Sequence, residues 1–316
     1  GIYRFYQDNR SDYESYIRPN ETIVVSFGIA LSAITLSSDL KVECFQDFVF
    51  NKTYFYSPRL DCHVFPVDGV DALFGLSEDS KFYRPRNCSH RIFAERQLDS
   101  LKSNYEELKV GPGQTRTRIL CLHSKDDWHN FYLEHNKDKR PVAWDIETSG
   151  LSWFRDRVGC ITMSFDGRTG YFIPWRIVDK DELSDLMKDR YQIGQNLKFD
   201  IKFLRHLGVK NLKIDSDTLQ LGQMLNEMRF NGLKSLAYYY TTHGGYDYEL
   251  DQYCMAYNPV SYLAIPEPLL AKYATMDAIV NFQVHEAMQE QLTALDAAFP
   301  PLVEGGWSMR DFYEKI

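Results

Sequence analysis

The sequence predicts an α/β protein: a mixed sheet flanked by helices, preceded by a smaller α/β region at the N-terminus. Three observations carry this expectation. The stretch Leu108-Lys-Val-Gly-Pro-Gly-Gln114 places two glycines around a proline, a composition that punctuates a chain rather than continuing an element. Beyond it, β-prone runs at 115–123, 141–146, 158–165 and 170–174 give way to alternating helical and β-like stretches, the order of a mixed sheet with helices packed on it. Within the second of those runs, PVAWDIETSGLSW (Pro141–Trp153) ends a short strand on two acids one residue apart.

Taken in order, residues 1–20 read as an irregular end. A strand follows at Ile23–Phe27, then a glycine turn and a short helix to Leu36. Further β-like runs occupy 42–50, 54–56 and 63–67, and a brief helix stops at Gly75. Residues 80–96 hold Lys81, Arg84, Arg86, His90, Arg91 and Arg96 among aromatics, open to reading as a phosphate-binding segment or a solvated loop. Past the break, Lys125–His135 has helical character. Asp166-Gly167 marks a hairpin between the runs at 158–165 and 170–174. Asp181–Lys188 reads as a helix and Tyr191–Gly194 as a strand. Asn196 is expected to cap a helix with Ile201, Leu204 and Leu207 inward and Gly208 at its end. Asp215 and Asp217 are expected as caps, Gly232 opens another helix, and Tyr238–Tyr240 is expected to be core. One long helix runs from about Pro268 to Leu295.

In an extended strand residues two apart share a face, so Asp145 and Glu147 stand together. Two carboxylates that close raise each other's pKa unless a cation lies between them, and oxygen ligands suit a hard divalent ion such as Mg²⁺ or Mn²⁺. Asp200 falls in the first turns of its helix, and Tyr273 and Asp277 are four apart on theirs, on one face. Four acids suffice to cage two Mg²⁺ ions around an in-line phosphoryl displacement.

DIETSGL, GQNLKFD, DTLQLGQML, GLKSLA and YATMD, in that order over Thr115–Leu295, resemble the successive motifs of DEDD-superfamily exonucleases. They are most similar to the proofreading 3′–5′ exonuclease domain of family A DNA polymerases. Tyr273, four before the last acid, matches the tyrosine branch; the histidine branch has His where Lys272 stands. The resemblance implies a ribonuclease H-like fold and 3′–5′ hydrolysis of DNA to nucleoside monophosphates with two Mg²⁺ or Mn²⁺. It implies that Asp145, Glu147 and Asp277 hold the ion that carries the attacking water, that Asp145 bridges to the second ion with Asp200, and that Tyr273 orients the water. Leu151 takes the place of the family's wedge between terminal bases, Asn196 meets the substrate backbone, and Thr148 the terminal nucleotide; Trp153 and Phe154 either stack on bases or shield the sheet edge. The implied organisation is an α/β region of unknown role at 1–112, similar in element order to uracil-DNA glycosylase-like modules ahead of some phage polymerases but without their catalytic signature. The exonuclease domain follows at 113–298, and 299–316 begins a polymerase region. The implied partners are a single-stranded 3′ end or primer-template DNA and the protein's own polymerase domain, in the cytoplasm, that of the host if the protein is phage-encoded. The alternatives are an RNA-trimming exonuclease of the same superfamily and a non-catalytic DNA-binding scaffold.

Composition narrows the classes. The formal net charge of −8 argues against a protein that coats nucleic acid through bulk electrostatics. No run of about eighteen apolar residues suggests a membrane span. Cys44, Cys62, Cys88, Cys121, Cys160 and Cys254 are scattered without a C-x-x-C pair, which favours reduced thiols over a disulfide framework. The C-x-H pairs at Cys88/His90 and Cys121/His123 match no zinc-finger spacing.

Overall fold

The computed structural model of the protein describes residues 117–227, 231–241, 243–301 and 305–315, together with three strands nearer the N-terminus. The chain divides into two compact units, residues 1–115 with 242–248, and residues 116–241 with 249–316. In the first unit β1 (Ile23–Phe27) runs parallel to β3 (Cys62–Val67), and β2 (Phe55–Ser57) lies antiparallel on its other side. These are three of the strands expected from sequence. The helix expected after β1, the strand at 42–50, the helix before Gly75 and the basic segment at 80–96 lie outside the described residues.

The second unit is built on a six-stranded mixed sheet. Its strands are β4 (Arg118–Cys121), β5 (Val142–Thr148), β6 (Val158–Ser164), β7 (Thr169–Pro174), β8 (Gln192–Gly194) and β9 (Ser216–Asp217), in the order β4-β7-β6-β5-β8-β9. β5, β6 and β7 are antiparallel neighbours, while β4 joins β7, β8 joins β5 and β9 joins β8, all in parallel. The hairpin forms where Asp166-Gly167 placed it. Gly167 takes φ +65°, open to a residue without a Cβ, and the Asp166 carboxylate accepts from the Arg168 and Thr169 amides at 2.8 and 2.6 Å.

Helices cover both faces. On one lie α1 (Lys125–His135), α2 (Lys180–Met187) and α3 (Lys198–His206), and their Trp128, Phe131, Leu183, Leu186, Phe203 and Leu204 pack on Trp144, Ile146, Ile161 and Met163 of the sheet. α1 starts at a reciprocal cap in which the Ser124 hydroxyl accepts from the Asp127 amide and the Asp127 carboxylate accepts from the Ser124 amide. The same carboxylate takes the His123 amide, which is why β4 stops at Cys121 rather than reaching His123. Next come α4 (Thr218–Leu225), α5 (Leu233–Tyr240), α6 (Tyr248–Tyr257), the 32-residue α7 (Glu267–Ala298) and α8 (Met309–Lys315). α7 crosses the opposite face of the sheet, over β5, β6 and β7. It comes so close to β7 that a Cβ on Gly170 would sit 2.3 Å from Thr275 Cγ2. Tyr239 and Tyr240 are half-buried rather than core.

Two expected caps are corrected. Asn196 does not cap α3: it sits at φ +56°, and Leu197, in helical conformation, precedes the first turn without a side-chain bond. Asp217 does that work from twenty residues away, accepting the Asn196 and Leu197 amides at 2.9 and 3.0 Å while also capping its own helix through the Leu219 amide at 3.0 Å. Asp215 is not a cap either; its carboxylate accepts the Gln192 amide at 2.8 Å and pairs with Lys213 at 3.1 Å, tying down the start of β8.

Candidate active site

The alternation of β5 decides what faces what. Val142, Trp144 and Ile146 point into the core under α1 to α3, and Ala143 packs with Phe282 of α7 on the other face. Asp145 and Glu147, in step with Ala143, therefore face α7, as a period of two requires. From α7 the Asp277 side chain meets them. One carboxylate oxygen from each of Asp145, Glu147 and Asp277 lies within 4.8 Å of the other two, and among the described residues this is the group able to hold a metal ion. Glu147 and Asp277 are buried and Asp145 is half-buried.

Asp200, third residue of α3, stands beside this trio rather than in it. It is 3 % exposed, and its carboxylate accepts the Ile146 amide at 3.4 Å. Burial pushes its pKa up to about 8, with Asp217 and Asp277 adding to the rise and the backbone donors opposing it. Asp145 is driven well above the usual carboxylate range by burial and then by Asp200, Asp277 and Glu147; Glu147 by burial, Asp277 and Asp200, with Lys234 pulling the other way. Carboxylates are thus crowded where burial and mutual repulsion raise their pKa, and a bound cation would relieve both. The donors are all hard oxygens, the chemistry that Mg²⁺ and Mn²⁺ require. The residues fit a divalent ion.

Tyr273, one turn before Asp277, is 7 % exposed. Its ring meets Tyr262 edge-on at 5.9 Å, and the Lys234 ammonium lies 5.2 Å from its centroid. Lys234 comes from α5 and Tyr262 from the short turn Tyr262–Ala264 ahead of α7. Sequence reasoning passed over both. A lysine between Leu233 and Leu236 was a visible signal, since a charge on an otherwise apolar helix face needs a reason; Tyr262 lies in a turn with no periodicity to mark it.

Of the remaining expected residues Thr148 ends β5, and Leu151 and Asn196 lie on loops after the adjacent parallel strands β5 and β8, the usual place for a ligand site in such sheets. At the end of β5 the register shifts at Glu147/Thr148, and the Thr148 hydroxyl donates to the Gly150 carbonyl at 2.7 Å. Leu151, three residues after Thr148, is 85 % exposed. After β8, Asn196 is exposed, its backbone held by Asp217. The structure thus gathers Asp145, Glu147, Asp277 and Tyr273 with Asp200 adjoining, and leaves Leu151 and Asn196 open to solvent at the same end of the sheet. Cys121 is exposed and free, Cys160 buried and free.

Comparison with known proteins finds a family that this part of the chain matches. The model of a protein family described as 3′–5′ exonuclease matches residues 122–293, more than half of the chain. The DNA polymerase of Escherichia phage T5 is 32% identical over 170 residues, covering 46% of this chain and 19% of that protein. DNA polymerase I of Borreliella burgdorferi is 24% identical over 170 residues, covering 51% of this chain and 18% of that one. The chain therefore spans under a fifth of the length of either relative. Among solved structures, Escherichia coli RNase D, an exoribonuclease, aligns with a TM-score of 0.39 at 16% identity, over 58% of this chain and 48% of that one.

Proposed function

Since the chain belongs to the 3′–5′ exonuclease family found in family A DNA polymerases, we propose that it removes nucleotides one at a time from DNA 3′ ends, as the proofreading part of a larger replicative polymerase. The observation that carries the reading is the convergence of Asp145, Glu147 and Asp277 within 4.8 Å. In this reading those three would hold one Mg²⁺ or Mn²⁺, and Asp145 with Asp200 would hold the second. Bound there, the ions supply charge neutralisation at the phosphate and a lowered pKa for the attacking water.

The chain's own groups do the positioning. The water's oxygen attacks phosphorus, the bond from phosphorus to the 3′ oxygen breaks, and that oxygen leaves with a proton, giving a nucleoside 5′-monophosphate and a strand shorter by one. The Tyr273 hydroxyl orients the water by hydrogen bond; a phenol, titrating ordinarily near 10, does this better than it serves as a base at neutral pH. Leu151 wedges between the last two bases, Asn196 holds the backbone and Thr148 the terminal nucleotide. Residues 1–112 form a separate domain of unassigned role, 113–298 the exonuclease, and 299–316 lead into the polymerase region. The enzyme works in the cytoplasm, that of the host cell for a phage protein; among the described residues no helix is long and apolar enough to cross a membrane.

The test is a 5′-labelled single-stranded DNA incubated with Mg²⁺ or Mn²⁺. A ladder shortening from the 3′ end, lost in Asp145→Ala, is expected; unchanged activity in that variant overturns the reading. A matched RNA strand degraded in preference to the DNA would make the protein an RNA-trimming enzyme instead.

A further inference from the structure

The acids of the candidate site are not held equally well by the elements that carry them. Asp145 and Glu147 belong to β5, which lies between two other strands, and Asp277 lies within the 32-residue α7. Asp200 is the third residue of α3, a helix of nine residues whose own N-cap position, Leu197, offers no side-chain bond. It reaches the trio only if the turn ahead of α3 is fixed.

That turn is tight. Asn196 sits at φ +56°, a left-handed conformation that costs energy unless the surroundings impose it. Leu197 then folds back so closely that a Cβ on Gly194 would lie 2.2 Å from Leu197 Cδ2. The amides of Asn196 and Leu197 both end on Asp217, one on each carboxylate oxygen, at 2.9 and 3.0 Å. A carboxylate that accepts backbone N–H groups at a helix start gains from charge-assisted bonds and from the helix dipole. Asp217 is 3 % exposed, and its own backbone is fixed twice. It pairs with Gly194 across the sheet, and its amide donates to the Tyr313 hydroxyl at 3.0 Å. At the other end of the same helical turn, the Asp200 carboxylate accepts the Ile146 amide at 3.4 Å.

We infer that Asp217 is a positioning residue of the candidate active site. By clamping the Asn196 and Leu197 amides it sets Asp200 beside Asp145, Glu147 and Asp277 and presents Asn196 to the substrate. This role rests on the exonuclease reading and deepens it, adding a residue that touches neither the reacting phosphate nor the ions. Asp217 also caps α4 through the Leu219 amide at 3.0 Å. Loss of that cap is the rival explanation for any defect on substitution.

A series at position 217 in the full chain separates the two. Asp, Asn and Ser are all good N-caps, so Asp217→Asn and Asp217→Ser both keep α4 capped. Their reach toward α3 differs. Asn keeps one acceptor oxygen and turns its NH2 toward the second donor, while Ser is too short to meet either amide. On a 5′-labelled single-stranded DNA with Mn²⁺, kcat is expected to fall about ten-fold in Asp217→Asn and about 100-fold in Asp217→Ser. That is the range when a group supporting a metal-binding side chain is lost. Amide exchange over residues 195–201, read by mass spectrometry, is expected to quicken in the same order, with residues 219–225 of α4 unchanged. The control is Asp166→Ala, which removes an acid that also accepts two backbone amides, but in the hairpin at the opposite end of the sheet. It is expected to lower the melting temperature and leave kcat unchanged. A different order of kcat, unchanged exchange over 195–201, or an equal loss of kcat in Asp166→Ala overturns the role. If the unmodified chain does not shorten the strand, the exonuclease reading has failed. The clamp is then judged on exchange alone: the graded rise over 195–201 supports it, and no rise overturns it.

Discussion

On the two faces of one sheet the protein buries charge in opposite ways. Under α1 and α2, Arg190 is 1 % exposed, and its guanidinium donates to the carbonyls of Leu186 at 3.0 Å, Arg140 at 2.7 Å and His135 at 2.7 Å, with the Phe165 ring 5.0 Å away. Burial lowers its pKa to about 10, and it stays charged at neutral pH because the carbonyl oxygens replace lost water. Under α7, Asp145, Glu147 and Asp277 each bring a carboxylate oxygen within 4.8 Å of the other two, with Asp200 adjoining, and neighbouring acids add to the burial that raises Asp145 and Glu147. The first cluster closes a gap between α1, α2 and the sheet. The second is a local cost that folding alone does not explain, and such a cost is expected where function demands it. Buried charge marks a site when its neighbours repel it.

The comparison breaks first if removing one member of the repelling cluster leaves catalysis intact. Asp277→Asn is expected to lower kcat by at least about 10³-fold, several kcal/mol of transition-state stabilisation, with the fold unchanged by circular dichroism. Next in size is the satisfied cluster. Arg190→Ala orphans three buried carbonyls and opens a cavity, and is expected to cost about 3–5 kcal/mol, read from the urea midpoint.

A third buried group sharpens the contrast because it gives up its charge. His285 exchanges a hydrogen bond with the Ser216 hydroxyl at 2.8 Å, and burial, aided by Arg310, lowers its pKa to about 4. A histidine depressed from about 6.5 in the unfolded chain binds fewer protons when folded. Its contribution is therefore full above pH 6.5 and is lost as pH falls through 4. His285→Gln is expected to remove a pH-dependent part of the stability, on the order of 3 kcal/mol over that window, measured as the difference between the two denaturation profiles. Smallest is Tyr273→Phe, which removes one hydroxyl and keeps the ring against Tyr262; a loss of about ten-fold in kcat with little change in KM is expected, the worth of one hydrogen bond.

Much of the site was legible because strand and helix periods are geometric facts. Asp145 and Glu147 share a face at a spacing of two, Tyr273 and Asp277 at a spacing of four, and the Asp166-Gly167 turn follows from the conformations those residues tolerate. What escaped notice was whatever depends on partners distant in sequence. Arg190 draws its acceptors from 4, 50 and 55 residues away, and nothing in its own neighbourhood announces that it is buried. Asp217 reaches back twenty residues to hold Asn196 and Leu197, so the helix start that looked self-capped is capped from another strand. Lys234 approaches Tyr273 only because α5 packs on α7.

The central claim, that the acid cluster is strained in order to hold a divalent ion, is tested most directly by melting the unmodified protein and Asp145→Asn with and without Mn²⁺ at pH 8. Without metal the variant is expected to melt higher, since one repelling charge is gone, by about 2–4 °C for each kcal/mol relieved. Mn²⁺ is expected to raise the unmodified protein past it while leaving the variant nearly unmoved, so that the order reverses. A variant that melts lower without metal, or equal shifts with Mn²⁺ in both proteins, would contradict the account.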